Sequence, residues 1–439
     1  MKIPIKEYAR RRKAMLALMD ADSIAIIPSA KIHVRNRDVD HVFRQDSDFW
    51  YLTGHVEPCS VLVLLPGREQ GESILFCNER DPLREQWDGL RLGQEGVVDK
   101  LGMDDAFPIA DIDEILPGML EGRSRVYYAM GKDKEFDANV MEWLNQLRSQ
   151  VRSGAEPPGE FVDLDHHLHE LRLIKSAAEI KQMQSAATIS ARAHCKTMQA
   201  CKPNSHEYEL EAELLHEFMR SGARSVAYPS IVGAGNNACI LHYIENCHQA
   251  KAGDLVLIDA GCELDGYASD ITRTFPSSGK FSAPQKALYD VVLAAQIAAI
   301  DCVRPGRSWN EAHDVTVQII TEGLVELGLL KGDVAILIEA KAYNDFYMHR
   351  AGHWLGMDVH DVGSYRIDDQ WRELEVGMVL TVEPGIYVSP DNQNVDKKWR
   401  GIGIRIEDDV VVTAAEPLIL TSAVPKTTEA IEALMTGSV

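Results

Sequence analysis

The sequence predicts an α/β domain followed by a larger α+β domain. Three observations predict it. The first third alternates apolar strand-like runs with helical stretches. A proline- and glycine-rich segment then leads into long helices. Beyond these, two predicted strand pairs each carry a pair of carboxylates, with a histidine-rich segment between them. At 439 residues the chain has room for two domains, each with its own core.

In the first third, SIAIIP, SVLVLLP and SILFC read as buried strands, and VMEWLNQLRSQV reads as a helix. The segment RSGAEPPGE, around Pro157 and Pro158, is the linker candidate. Ser176 and Glu179 form an S-x-x-E capping box at the head of a long helix. The domain boundary is placed between Pro158 and Ser176, giving domains of 1–170 and 171–439. Helices are expected at roughly 176–200 and 205–221, and again near 283–303 and 309–328. A helix pair followed by a carboxylate hairpin thus occurs twice, ending at Asp270 and at Glu407. Two related halves facing across a cleft would produce that echo.

The first strand pair is LVLIDAGCELDGYASDITRTF. Side chains alternate across a strand, so Leu255, Leu257 and Asp259 share a face. Asp265-Gly266 is a turn signal, and the return YASDITRTF puts Asp270 and Thr272 together. Closing the hairpin brings Asp259 beside Asp270. Either aspartate alone would be read as a strand end or a turn cap. In the second pair, VLTVE places Val379, Thr381 and Glu383 on one face before Pro384 and Gly385 break the ladder. GIGIRIEDD places Gly403, Arg405 and Glu407 on one face. An exposed Arg405–Glu407 ion pair is the plain alternative, but the isoleucines and valines around it indicate a core strand.

Between the pairs lies HRAGHWLGMDVHD, with His349, His353 and His360. The four-residue spacing of His349 and His353 fails the H-E-x-x-H zinc pattern, because Arg350 replaces the glutamate and Gly352 weakens a helix. His242, in GAGNNACILHYIEN, joins the candidates; its glycine-rich loop lacks the lysine and spacing of a phosphate loop. Carboxylates on apolar strands that converge on one place call for a cation. Asp259, Asp270, His353, Glu383 and Glu407 supply what a two-metal hydrolytic site needs. The set is hard and oxygen-rich, which favours two Mn²⁺, with Co²⁺, Fe²⁺ or Zn²⁺ as substitutes. Two divalent ions balance four carboxylates and can activate a water near neutral pH.

The net charge of −22 argues against a nucleic-acid partner or an anionic membrane surface. No apolar run is long enough for a transmembrane helix, and the charged start MKIPIKEYARRRKAM does not read as a signal peptide. Eight cysteines without a CxxC pair fit reduced thiols and a cytoplasmic location.

The stretches SDFWYLTG, LRLIKS, IVGAGNNACILHYIEN, DAGCELDGYASDITRTF, HWLGMDVHDVG, VEPGIY and RGIGIRIEDD span nearly the whole chain. In them the sequence resembles the creatinase/aminopeptidase superfamily with its pita-bread catalytic domain, and within it the aminopeptidase P (Xaa-Pro aminopeptidase) family. The N-terminal domain separates it from the short methionine aminopeptidases. The five intact ligand positions separate it from creatinase-like members. The resemblance implies a dinuclear aminopeptidase that releases the first residue from peptides with proline second. Asp259 would bind one metal and His353 the other; Asp270 and Glu407 would bridge. Glu383 would be both ligand and general base. His242, His349 and His360 would shape the proline pocket and steady the substrate carbonyl, and Arg405 would hold the substrate's C-terminal side. Trp87 resembles an aromatic that caps the family's pocket; a half-buried surface tryptophan is the equal alternative. The resemblance also implies a homodimer or homotetramer packed through N-terminal domains. Its rivals are prolidase (an Xaa-Pro dipeptidase), the organophosphate-hydrolysing branch of prolidases, and non-catalytic peptide-binding relatives.

Overall fold

The computed structural model describes residues 3–437. The chain falls into two compact units, Lys2–Arg172 and Leu173–Val439.

The first unit is built on a six-stranded mixed sheet. Its strand order is Asp105–Pro108, Ser73–Cys77, Val61–Leu64, Ser23–Pro28, Arg125–Tyr127, Glu160–Val162. The three strands legible as apolar runs form its antiparallel centre. The outer strands pair in parallel. The helices Ile112–Leu120 and Lys134–Ser149 cover a core of Ile24, Ile26, Val63, Phe76, Leu116 and Trp143. The Pro157–Pro158 segment is not an interdomain linker. It runs within this unit, into the edge strand Glu160–Val162. Trp87 is not half-buried: it lies on the short helix Pro82–Asp88 and is 87% exposed.

In the second unit, Ala177–Ala200 starts at Ser176 with the reciprocal capping bonds to Glu179. It pairs with Glu207–Arg220; Ala283–Asp301 pairs with Trp309–Glu326. These helices cover two antiparallel ribbons. In one, Leu255–Asp259 lies between Ile231–Ala234 and Thr272–Pro276, with Asp259 opposite Thr272. In the other, Val379–Val382 pairs with Asp408–Val411, and Gly385–Tyr387 with Gly403–Arg405. The helix–ribbon pattern therefore occurs twice in space as in sequence. The strands are buried along their length, which explains their nearly unbroken apolar sequence.

The expected hairpins differ in one respect. Only Asp259 lies in a strand; Asp270, Glu383 and Glu407 sit at interruptions. The turn at Asp265-Gly266, both with positive φ, closes a separate small hairpin, Cys262–Leu264 with Tyr267–Ala268. Pro384 can donate no ladder bond, and the Glu407 amide reaches across to the carbonyl of Thr272 (3.1 Å), joining the two ribbons. A ladder interruption frees a side chain from strict alternation and lets several converge on one point.

Candidate metal centre

The two ribbons, the histidine segment and the loop that carries His242 bring the predicted ligand and catalytic residues to one cavity of about 470 Å³. Asp259, Asp270, His353, Glu383, Glu407, His242, His349, His360 and Arg405 all line it. Asp270, His353 and Glu407 offer ligand atoms within 4.8 Å of one another. His353 Nε2 is 3.4 Å from Asp270 and 3.6 Å from Glu383.

The histidine segment is placed by its neighbours. Trp354, fully buried, packs against Trp309 and stacks on Tyr365. The chain before it is sewn to the strand Val379–Val382: His353 N–H donates to Thr381 Oγ1 (3.0 Å), Thr381 N–H to the His353 carbonyl, and Glu383 N–H to the Ala351 carbonyl. Gly352 allows this approach, since a Cβ there would lie 2.0 Å from the Thr381 carbonyl oxygen. His353 Nδ1–H donates to the Trp354 carbonyl at 2.9 Å, which leaves Nε2 as the face turned to the carboxylates. Metal-binding histidines are held in this way.

Other residues tether the carboxylates. Arg405 Nη2 donates to Asp259 (2.6 Å), Nε to Thr272 (3.1 Å) and Nη1 to the Tyr387 hydroxyl (2.9 Å). Each nitrogen of this buried guanidinium has an internal acceptor. Arg405 therefore holds Asp259 in place from the cavity wall, and the exposed Arg405–Glu407 ion pair, the plain alternative, does not form. Thr272 Oγ1 donates to Glu407 (2.7 Å), and Thr381 Oγ1 to Glu383 (3.3 Å). Tyr228 was not foreseen. Its hydroxyl lies against both Asp259 and Asp270, yet a hydroxyl has one proton to give, so the second contact needs a proton on a carboxyl group. Behind the site, the buried Arg273 pairs with Asp408 at 2.7 Å and donates to the Glu407 carbonyl. The run EDD thus holds a structural carboxylate beside a site carboxylate, which sequence spacing did not separate.

The histidines differ in role. Both nitrogens of His349 are engaged, Nδ1 with the Arg350 carbonyl (2.8 Å) and Nε2 with the Tyr387 hydroxyl (2.9 Å). Burial and the nearby Arg405 lower it to about 3, so it is a neutral wall. The His360 ring lies 4.2 Å from the His353 ring, tilted by 59°, and burial with the charge of His353 lowers its pKa. His360 and His242 are exposed to the cavity.

The electrostatics fit a cation site. Burial pushes Glu383 up to about 7, against the pull of His353 and Arg405. Burial and the charges of Asp270 and Glu383 push Glu407 well above the carboxylate range. Burial also raises Asp259, against Arg405. Asp270 is buried too, but its bond to His353 brings it below its ordinary value. Carboxyl groups held this closely in a dry site take up protons unless cations replace them.

A model of metallopeptidase family M24 matches residues 181–414, and one of the aminopeptidase P N-terminal domain matches 8–127. The chain belongs to metallopeptidase family M24. Among M24 relatives it is 48% identical to the Xaa-Pro aminopeptidase of Haemophilus influenzae and 47% identical to that of Escherichia coli, over 99% of this chain and 98% of each relative. Its fold superposes on Pseudomonas aeruginosa aminopeptidase PepP with a TM-score of 0.99 at 63% identity, covering 100% of this chain and 99% of that one. Zinc-substituted E. coli aminopeptidase P in complex with product gives 0.97 at 46% identity, over 100% of both chains. The catalytic unit is therefore an M24 pita-bread domain preceded by an aminopeptidase P N-terminal domain.

Proposed function

We infer that this M24 member is an Xaa-Pro aminopeptidase, removing the first residue from peptides with proline second. The carrying observation is the convergence of Asp259, Asp270, His353, Glu383 and Glu407 in one cavity, in a chain matched end to end by enzymes of that name. These five residues would hold two divalent cations, Mn²⁺ first by the hardness of the donors, and such ions supply Lewis acidity and a water activated near neutral pH.

The chain's own residues do the rest. Arg405, Tyr228, Thr272 and Thr381 fix the carboxylates, so little reorganisation is left for the reaction. Glu383, held by Thr381 at the cavity beside His353, is placed to accept the proton of the attacking water and pass it on. The leaving group is the proline nitrogen, which carries no N–H and must gain a proton to depart as an amine. His360 and His242 stand at the open side of the cavity, where a ring N–H can stabilise charge on the scissile carbonyl oxygen. The free amine of the substrate pairs with the acidic cluster, which restricts cleavage to the first bond.

A cytoplasmic location and a homo-oligomer built through the N-terminal units complete the proposal. No helix among the described residues is long and apolar enough to cross a membrane. The eight cysteines are free thiols. The exposed Trp87 is available to a neighbouring surface. The test compares Xaa-Pro, Xaa-Pro-Yaa, Xaa-Ala-Yaa and N-acetylated Xaa-Pro-Yaa on the Mn²⁺-loaded protein. The expected order of kcat/KM puts Xaa-Pro-Yaa at least level with the dipeptide, the alanine peptide far below, and the acetylated peptide uncut. Cleavage of the dipeptide alone would make the enzyme a prolidase, and cleavage of the acetylated peptide would exclude an exopeptidase.

A further inference from the structure

One wall of the cavity is a loop without regular structure. Residues 241–247 lie outside every helix and strand, yet Leu241, His242 and Ile244 line the cavity. Ile244 is 56% exposed, an apolar side chain left open at the mouth. A wall of this kind, with no ladder of its own, needs something else to fix its shape.

Two buried side chains supply it: Asn246, within the loop, bonds the Val232 amide (3.0 Å) and the Ser230 carbonyl (2.8 Å), and a carboxylate on the neighbouring helix gathers the rest. Glu207, at the start of the helix Glu207–Arg220, is 0% exposed. Its Oε1 accepts from the Ala234 amide (2.8 Å) and from Asn237 Nδ2 (2.9 Å), at the loop's departure. Its Oε2 accepts from the Tyr243 hydroxyl (2.8 Å) and the His248 amide (2.8 Å), within the loop and at its return. The Tyr243 hydroxyl is also 2.8 Å from His248 Nδ1. Four donors from the two ends of one loop converge on one side chain that touches none of the residues of the metal centre. We propose that Glu207 is the positioning residue for the His242 loop, and through it sets how well the cavity selects the second residue of the substrate.

The consequence is specific. With Glu207 in place the loop has one shape, and the wall formed by His242 and Ile244 is ready to receive a ring. Without it the loop samples several shapes, of which a fraction can bind. Apparent affinity falls by that fraction, while complexes that do form react as before. If about a tenth of the loop population remains competent, KM rises about tenfold at little-changed kcat. A residue serving general stability alone would not split the two constants in that way.

The proposal rests on the reading that this cavity takes peptides with proline second, so the experiment has a readout independent of turnover. Glu207→Gln keeps the size but turns an NH₂ toward donors. Tyr243→Phe removes one contact and is the milder change should the first variant fail to fold. Both are measured as full-length, Mn²⁺-loaded protein. Hydrogen exchange by mass spectrometry should speed up within 235–249 and stay unchanged in the helix 177–200. For Xaa-Pro-Yaa, KM should rise about tenfold in Glu207→Gln, with kcat within about threefold; KM for Xaa-Ala-Yaa, which brings no ring to the wall, should rise less, so discrimination against it falls. Tyr243→Phe should shift each in the same direction, less far. Unaltered exchange in 235–249, or a loss confined to kcat, overturns the proposal. Should the parent protein cut no proline-second peptide, the functional reading fails and exchange alone decides the role of Glu207.

Discussion

Metal should stabilise this protein more as pH rises. Glu383 moves from an ordinary value of 4.5 to about 7 in the folded chain without cations. Between those values the unfolded chain has lost its proton and the folded chain has kept it, so the fold loses stability as pH climbs. One pKa unit is about 1.4 kcal/mol, so Glu383 alone costs the metal-free fold about 3 kcal/mol by pH 7. His353 acts with the same sign. Its partners Asp270 and Glu383 overcome the effect of burial and raise it to about 9; the stability it confers below 6.5 is lost as pH rises through 9. A divalent cation takes the place of those protons, so its affinity, and hence its stabilisation, grows with pH over the same window. At roughly 2–4 °C per kcal/mol for a domain of this class, Glu383 alone should widen the gap in Tm between Mn²⁺-loaded and chelated protein by about 5–10 °C from pH 5 to pH 7.5, and His353 should add to it. Differential scanning calorimetry at four pH values in that range measures it. A gap that is constant or narrows with pH would refute the claim that the buried carboxyl groups hold protons where cations belong.

Further outcomes follow from the same geometry. Titration calorimetry of the chelated protein should show two divalent ions per chain; a single site would count against the dinuclear reading. Glu383→Ala should abolish turnover even in excess Mn²⁺, and His360→Ala should cost about 10²–10³-fold in kcat; an unchanged rate in the second would reduce His360 to packing. Arg405→Met should weaken metal retention on dialysis before it alters substrate affinity, because the guanidinium bonds Asp259 at 2.6 Å; a rise in KM with metal content intact would instead favour the substrate-binding role that the family resemblance implies. Lys175 and Asp361 form a buried pair at 2.8 Å, so Lys175→Met should destabilise by about 3–5 kcal/mol in denaturant unfolding, and Lys175→Met with Asp361→Leu by less.

The sequence by itself determined the parts that depend on local patterning. Continuous apolar runs became the central strands of both units, and Ser176 and Glu179 opened the helix that their spacing requires. The candidate side chains could be named because four carboxylates recurred in apolar strand segments, where isolated carboxylates would not survive burial, with a histidine-rich segment between them. Tertiary structure alone decided which partner each one meets. Tyr228 lies 31 and 42 residues from the aspartates it touches, and no periodicity links positions so far apart. Alternation put Arg405 on one face with Glu407, but the strand ends at Arg405 and its guanidinium bonds Asp259, 146 residues away. Glu207 shows in sequence only as an acidic first residue of a helix, and becomes the anchor of a cavity wall once two ends of a loop fold over it. Alternation along a strand gives the face a residue occupies. The hydrogen-bond partner it meets there is set by which other segment packs against that face.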